Sequence, residues 1–148
     1  MRHKINALIV RSEFNIQRND VLIAKNENIH RSLVAQINKA YEEMSAIVTL
    51  MRNLYPNGLL NKEKLLAIQR RQGALKRKLA EMKMQSSQLE HQQEDCEKQK
   101  SSLVEKRKVL LRKMDKYQYL CASERKKKRL KEARIEESDI EERISWQR

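Results

Sequence analysis

The side chains able to do chemistry are few and scattered. Histidine occurs at His3, His30 and His91 and cysteine at Cys96 and Cys121, in a chain of 148 residues. Metal sites draw their ligands from closely spaced His, Cys and carboxylate residues. These histidines lie far apart, and the cysteines lack such a partner set, which suits reduced, packed thiols. A disulfide between them is disfavoured, because 25 residues of one helix separate their positions by about 37 Å. Gly73 stands alone in a helical pattern, so no Gly-rich loop exists to cradle phosphate. The reading is non-enzymatic, with no catalytic, cofactor-binding or metal site and no cofactor.

The one concentrated chemical feature is charge. The formal net charge is +13. Residues 98–134 hold 15 basic and 4 acidic side chains, whereas residues 135–148 hold 2 and 5. Within the basic segment, Arg125–Arg129 reads "RKKKR". Three readings stand for that run: a solvated helix face, a surface for an acidic protein, or a phosphate-binding patch. A basic-zipper protein is excluded by order, since there the basic region precedes the heptads and here it follows them. No aromatic platform for stacking bases accompanies the run, and no large apolar face accompanies it for a membrane surface. Nucleic acid is therefore the weakest of the three.

Long helices must carry these residues. The chain has 2 glycines, 1 proline and six aromatic residues, too few breakers for a compact fold with frequent turns. No segment resembles a signal peptide, and no apolar run approaches the roughly 18–20 residues of a membrane span. A soluble, cytoplasmic chain without membrane insertion is expected. Ile9, Ile16, Ile23, His30, Ile37, Met44 and Met51 recur every seven residues. So do Ile68, Leu75, Met82, Leu89, Cys96, Leu103, Leu110 and Tyr117. Sustained spacing of seven marks coiled-coil helices. His30 falls in the first row and reads as a tolerated polar residue of the seam. Companion rows are assigned three residues earlier: Asn6, Glu13, Asp20, Glu27, Val34, Tyr41, Val48 and Tyr55 in the first helix, and Leu65 through Met114 in the second.

Pro56 and Gly58 lie between the two arrays. Proline ends a helix, Asn57 and Gly58 tolerate a reversal, and Asn61 can cap the next helix. The fold class is thus all-α, a long two-helix antiparallel coiled-coil hairpin with a turn at 55–61 and a longer, basic second helix. Helix 1 is placed at 1–54, helix 2 at 62–134, and an acidic tail at 135–148, where Ser138 and Glu141 could form a capping box. Centring the turn on Gly58 sets Val48 opposite Ile68, Tyr41 opposite Leu75, Val34 opposite Met82 and Met51 opposite Leu65. Nearer the termini, Asn6 then faces Leu110 and Ile9 faces Arg107, so each layer there has one polar member. The terminal half should open more readily, and a basic overhang should begin at about residue 112. Leu50, Leu54, Tyr55, Leu59 and Leu60 gather at the turn, either as a hydrophobic cap or as a docking tip.

The stretches "NKEKLLAIQRRQGALKRKLAEM" and "EKRKVLLRKMDKYQYLCASERKKKR", within residues 60–134, resemble the stalk proteins of bacterial type III secretion, the FliJ/YscO/SpaM group. The likeness is greatest to the SpaM-type members of injectisomes. It implies a non-enzymatic stalk that couples a hexameric secretion ATPase to the cytoplasmic ring of the export gate, peripheral to the inner membrane. Some members of that group also bind secretion chaperones. The resemblance makes Arg112, Lys113, Lys116, Arg125, Lys126, Lys127, Lys128 and Arg129 candidates for the ATPase pore. Tyr41, Leu54, Tyr55 and Leu75 become candidates for the gate. The alternatives are a generic coiled-coil scaffold and a nucleic-acid-associated coiled coil.

Overall fold

A computed structural model describes residues 2–55, 58 and 61–147. Among them are two helices, α1 (Arg2–Arg52) and α2 (Lys62–Gln147), and no strand. α1 stops two residues short of the expected Leu54, with Arg52 in its last turn, where a cation complements the helix dipole. α2 opens on the expected cap: the Lys64 amide donates to the Asn61 side-chain oxygen at 2.8 Å, and Glu63 lies in the first turn. Gly58 adopts φ +157°, a conformation that L side chains rarely take, with nothing within 4 Å of a built Cβ. Pro56, Asn57, Leu59 and Leu60, on which the turn and tip expectations partly rest, lie outside the described residues.

α2 does not end at the acidic tail. It continues through Ser138 to Gln147, so no capping box starts a new helix there. After Gly73 this stretch contains neither glycine nor proline, and nothing in its sequence breaks the hydrogen-bond ladder.

The chain forms two compact units, Ile23–Ser102 and Met1–Leu22 with Leu103–Arg148. In each, a stretch of α1 packs antiparallel to a stretch of α2, the expected fold class. In the first unit Met44, Ile47 and Met82 make a buried cluster, with Met51, Leu75 and Leu79 packed against it. Leu33, Ile37 and Ala40 are also buried. In the second unit the buried side chains are Ile5, Ser12, Ile16, Asn19 and Cys121.

These burials correct the companion row of α1. The buried row is Ile5, Ser12, Asn19, Asn26, Leu33, Ala40 and Ile47, one residue before the expected Asn6, Glu13, Asp20, Glu27, Val34, Tyr41 and Val48. The physical reason is plain. The expected row would place three carboxylates in the seam, and burying an ionised carboxylate is expensive. The observed row puts neutral residues inside and leaves Glu13, Asp20 and Glu27 at the edge.

The register is corrected as well. Met82 packs with Met44 and Ile47 instead of Val34, and Leu75 packs on the same cluster instead of meeting Tyr41. In the other unit, Asn6 accepts a hydrogen bond from the Cys121 thiol at 3.6 Å instead of facing Leu110. Both displacements are about ten residues, nearly three helical turns. α1 ends at Arg52 and α2 begins at Lys62, so the register is not tied to a reversal centred on Gly58. Pairing therefore reaches well past residue 112. Ser123 and Glu124 are still half-buried, and from Arg125 to Gln147 every residue is exposed. The overhang begins at Arg125.

Candidate functional site

The described residues contain no group of three or more His, Cys, Asp or Glu side chains arranged to hold a metal ion. His30 lies 3.5 Å from Glu97, and His91 lies 4.0 Å from Glu94 along its own helix. Both cysteines are free and buried. Among the described residues no helix is long and apolar enough to cross a membrane.

The corrected register divides the basic candidates. Arg112, Lys113 and Lys116 are exposed but sit on the paired part of α2, before Cys121 meets Asn6. Arg125, Lys126, Lys127, Lys128 and Arg129 stand on the unpaired extension, also exposed. Five consecutive residues at about 100° each cover the whole circumference of a helix. This cationic collar therefore has no preferred face, and among the described residues none of its members lies within ion-pair distance of a carboxylate. About two to four turns further along the same helix, Glu136, Glu137, Asp139, Glu141 and Glu142 reverse the sign, all exposed.

The four turn-proximal candidates do not form one patch. Tyr41 is half exposed, and its hydroxyl donates to the Glu90 carboxylate. The Tyr55 hydroxyl donates to Gln72 Oε1 at 3.0 Å. Glu90 and Gln72 are separated by about 27 Å of helix rise. Leu54 is half-buried, and Leu75 packs against the Met44 cluster. Among the described residues, Leu50, Tyr55, Leu65 and Leu66 near the connection are exposed. Leu65, expected in the seam, is exposed because the register leaves the first turns of α2 beyond the end of α1.

Two residues that the sequence reading passed over organise the seam. Asn19, only 2% exposed, donates to the Leu103 carbonyl at 3.1 Å. Asn26 donates to the Cys96 carbonyl at 3.3 Å, and the Cys96 thiol donates back to the Asn26 carbonyl at 3.5 Å. Their own Oδ1 atoms have no partner. Around them Arg107 donates to Asp20 at 2.7 Å, and Lys100 lies 4.0 Å from Glu27. A signal for these asparagines existed: they stand seven apart, in the row that also holds Leu33 and Ile47. A buried Asn in a seam weakens it but selects register.

Heptad seams joining two antiparallel helices, with one helix carried on alone as a charged extension, define a coiled-coil protein. The model of the family described as Salmonella surface presentation of antigen gene type M protein matches residues 3–144. The chain belongs to that family, which makes it a type III secretion-related protein. The matched span takes in nearly all of α1 as well as α2. No curated protein and no solved structure matches the chain.

Proposed function

We propose that this protein is the non-enzymatic stalk of a type III secretion export apparatus, coupling a hexameric ATPase to the export gate. The observation that carries the proposal is the unpaired extension, with its collar at Arg125–Arg129 exposed on all sides. A helix that is basic around its whole circumference can be attracted to a ring of acidic loops in many nearly equivalent orientations, because long-range attraction demands no single docked pose. Hydrolysis travelling around such a ring could bias the orientation of the helix. Paired helices would carry that bias towards the connection; the gate candidates are Leu54 and Tyr55 beside it, with Tyr41 and Leu75 further along the pair. In this role the protein works in the cytoplasm, peripheral to the inner membrane, and secretion chaperones are further candidate partners.

The test is to titrate the protein into the hexameric secretion ATPase of the same system, following hydrolysis rate and complex size. The expected result is saturable stimulation at about one chain per ring, lost when Arg125–Arg129 are changed to glutamate and weakened more strongly by salt than an apolar contact would be. Reversing Arg112, Lys113 and Lys116, on the paired stretch, should do less. Stimulation indifferent to the collar would sink the assignment of the extension to the ATPase.

A further inference from the structure

α1 carries a second heptad row that its pairing with α2 leaves open. Ala7, Val10, Phe14, Gln17 and Val21 follow the alternating three and four spacing of a coiled-coil face. At about 100° per residue, the centre of this row lies about 150° around the helix from that of Ile5, Ile9, Ser12 and Ile16. Val10 is 64% exposed, Phe14 62% and Val21 54%, and Phe14 is the only phenylalanine of the chain. Ala7 and Gln17 are exposed too. An aromatic and two valines aligned on one outer face form a patch that commonly marks an interaction site.

The charges beside the row say what fits it. One flank is basic, with Lys4, Arg11 and Arg18 seven residues apart; the other has Asn6, Glu13 and Asp20 at the same interval. Asp20 is engaged by Arg107 at 2.7 Å. Among the described residues, no side chain of opposite charge lies within 4.0 Å of Glu13, Arg11 or Arg18. In a parallel, in-register pair of helices, the residue before one core position reaches the residue five places later on its neighbour. Applied to this row, Glu13 reaches Arg18 of a second copy, and the two-fold axis repeats the pair. Antiparallel self-pairing would instead set the basic flank against itself and the acidic flank against itself.

We propose that this face is a self-association surface: two copies of the chain pair in parallel along α1, with Phe14 stacked on its counterpart and Glu13 paired to Arg18 across the two-fold axis. The Gln17 side chains then meet and can hydrogen-bond to each other, and Ala7 lets the helices approach closely. This pairing uses residues of α1 outside the collar and is tested on the chain alone; a dimer would separate before one chain enters a ring, so failure of the pairing leaves the stalk reading untouched.

The full-length protein should show a concentration-dependent dimer by sedimentation equilibrium. Phe14→Glu should weaken that dimer by at least about a hundredfold, since it removes buried aromatic surface from both copies. The helix content should stay unchanged, because Phe14 is exposed in the single chain. Glu13→Arg and Arg18→Glu should each weaken association, and the double exchange should restore it, a recovery that loss of folding could not mimic. With both native cysteines replaced by alanine, Ala7→Cys and Val21→Cys should each form a disulfide-linked dimer on their own. Cross-linking only in a mixture of the two would mean antiparallel pairing and overturn the proposal. A chain that stays monomeric up to about 0.5 mM would also overturn it, that being far weaker than useful association. So would a dimer indifferent to Phe14→Glu. If the monomeric chain instead loses a secretion partner on Phe14→Glu, the face belongs to that partner and not to a second copy.

Discussion

The two compact units use the same seven-residue spacing to different ends. In Ile23–Ser102 the seam near the connection is apolar: Met44, Ile47 and Met82, closed by Met51, Leu75 and Leu79. In Met1–Leu22 with Leu103–Arg148, Ile5 shares its row with Ser12 and Asn19 beside the buried Ile16 of the other row, and Arg107 ties Asp20 at the edge. Spacing decides that helices pair. Residue type decides whether the pair is held by burial or aligned by polar groups that tolerate few registers and contribute little stability. A seam of the second kind separates more readily, which suits the unit that carries the charged extension.

Substitutions can break this contrast. The largest effect should come from Met82→Ala, at a side chain 3% exposed in the apolar cluster. Removing a buried methionine costs about 2–5 kcal/mol, so the denaturant midpoint should fall steeply. A loss under about 0.5 kcal/mol would mean that the cluster does not stabilise the fold. Asn19→Leu should act in the opposite direction, raising stability by about 1 kcal/mol by removing a buried amide whose Oδ1 has no partner. It should also loosen register. Asn6→Cys reports on that, because it should cross-link to Cys121 in the observed register and not in one centred on Gly58. The cross-link yield should drop when Asn19→Leu is added. The smallest effect should be Asp20→Asn. Both partners of its ion pair are nearly half exposed, at 45% and 44%, so the loss should stay below about 1 kcal/mol and vanish at high salt. Equal losses from Met82→Ala and Asp20→Asn would erase the distinction between the units.

Much of this architecture is legible in the residues. The isoleucine row of α1 and most of both rows of α2 are where period seven puts them, with Met82, Ser86 and Cys96 buried, whereas Leu65 and Lys100 are exposed. The Asn61 cap is as read. The collar at Arg125–Arg129 is visible as composition alone. What escaped was the choice between two flanks. From an apolar row with a period of seven, a companion row can lie three residues before or four before, and the two differ by a single residue. Tyr41, Val48 and Val34 made the wrong row look attractive, while Asn19 and Asn26 disguised the right one. Register was a separate choice: the buried row aligns around the connection equally well, with Ile47 opposite Ile68 and Ala40 opposite Leu75, and a reversal at Gly58 stops the pairing near residue 112.

By itself, then, the sequence determined that two helices form, the Asn61 cap, the spacing of the seam and the sign of each segment's charge, because all of these depend on neighbours within a few residues along the chain. Tertiary structure decided which flank of α1 turns inward, how far α2 slides past it, and therefore which cations are left on a lone helix. Those outcomes depend on the sum of many layers at once. Shifting a coiled coil by a heptad changes no local propensity, and only the packing of Met44 with Met82, Asn19 with the Leu103 carbonyl and Asn6 with Cys121 distinguishes one alignment from the next.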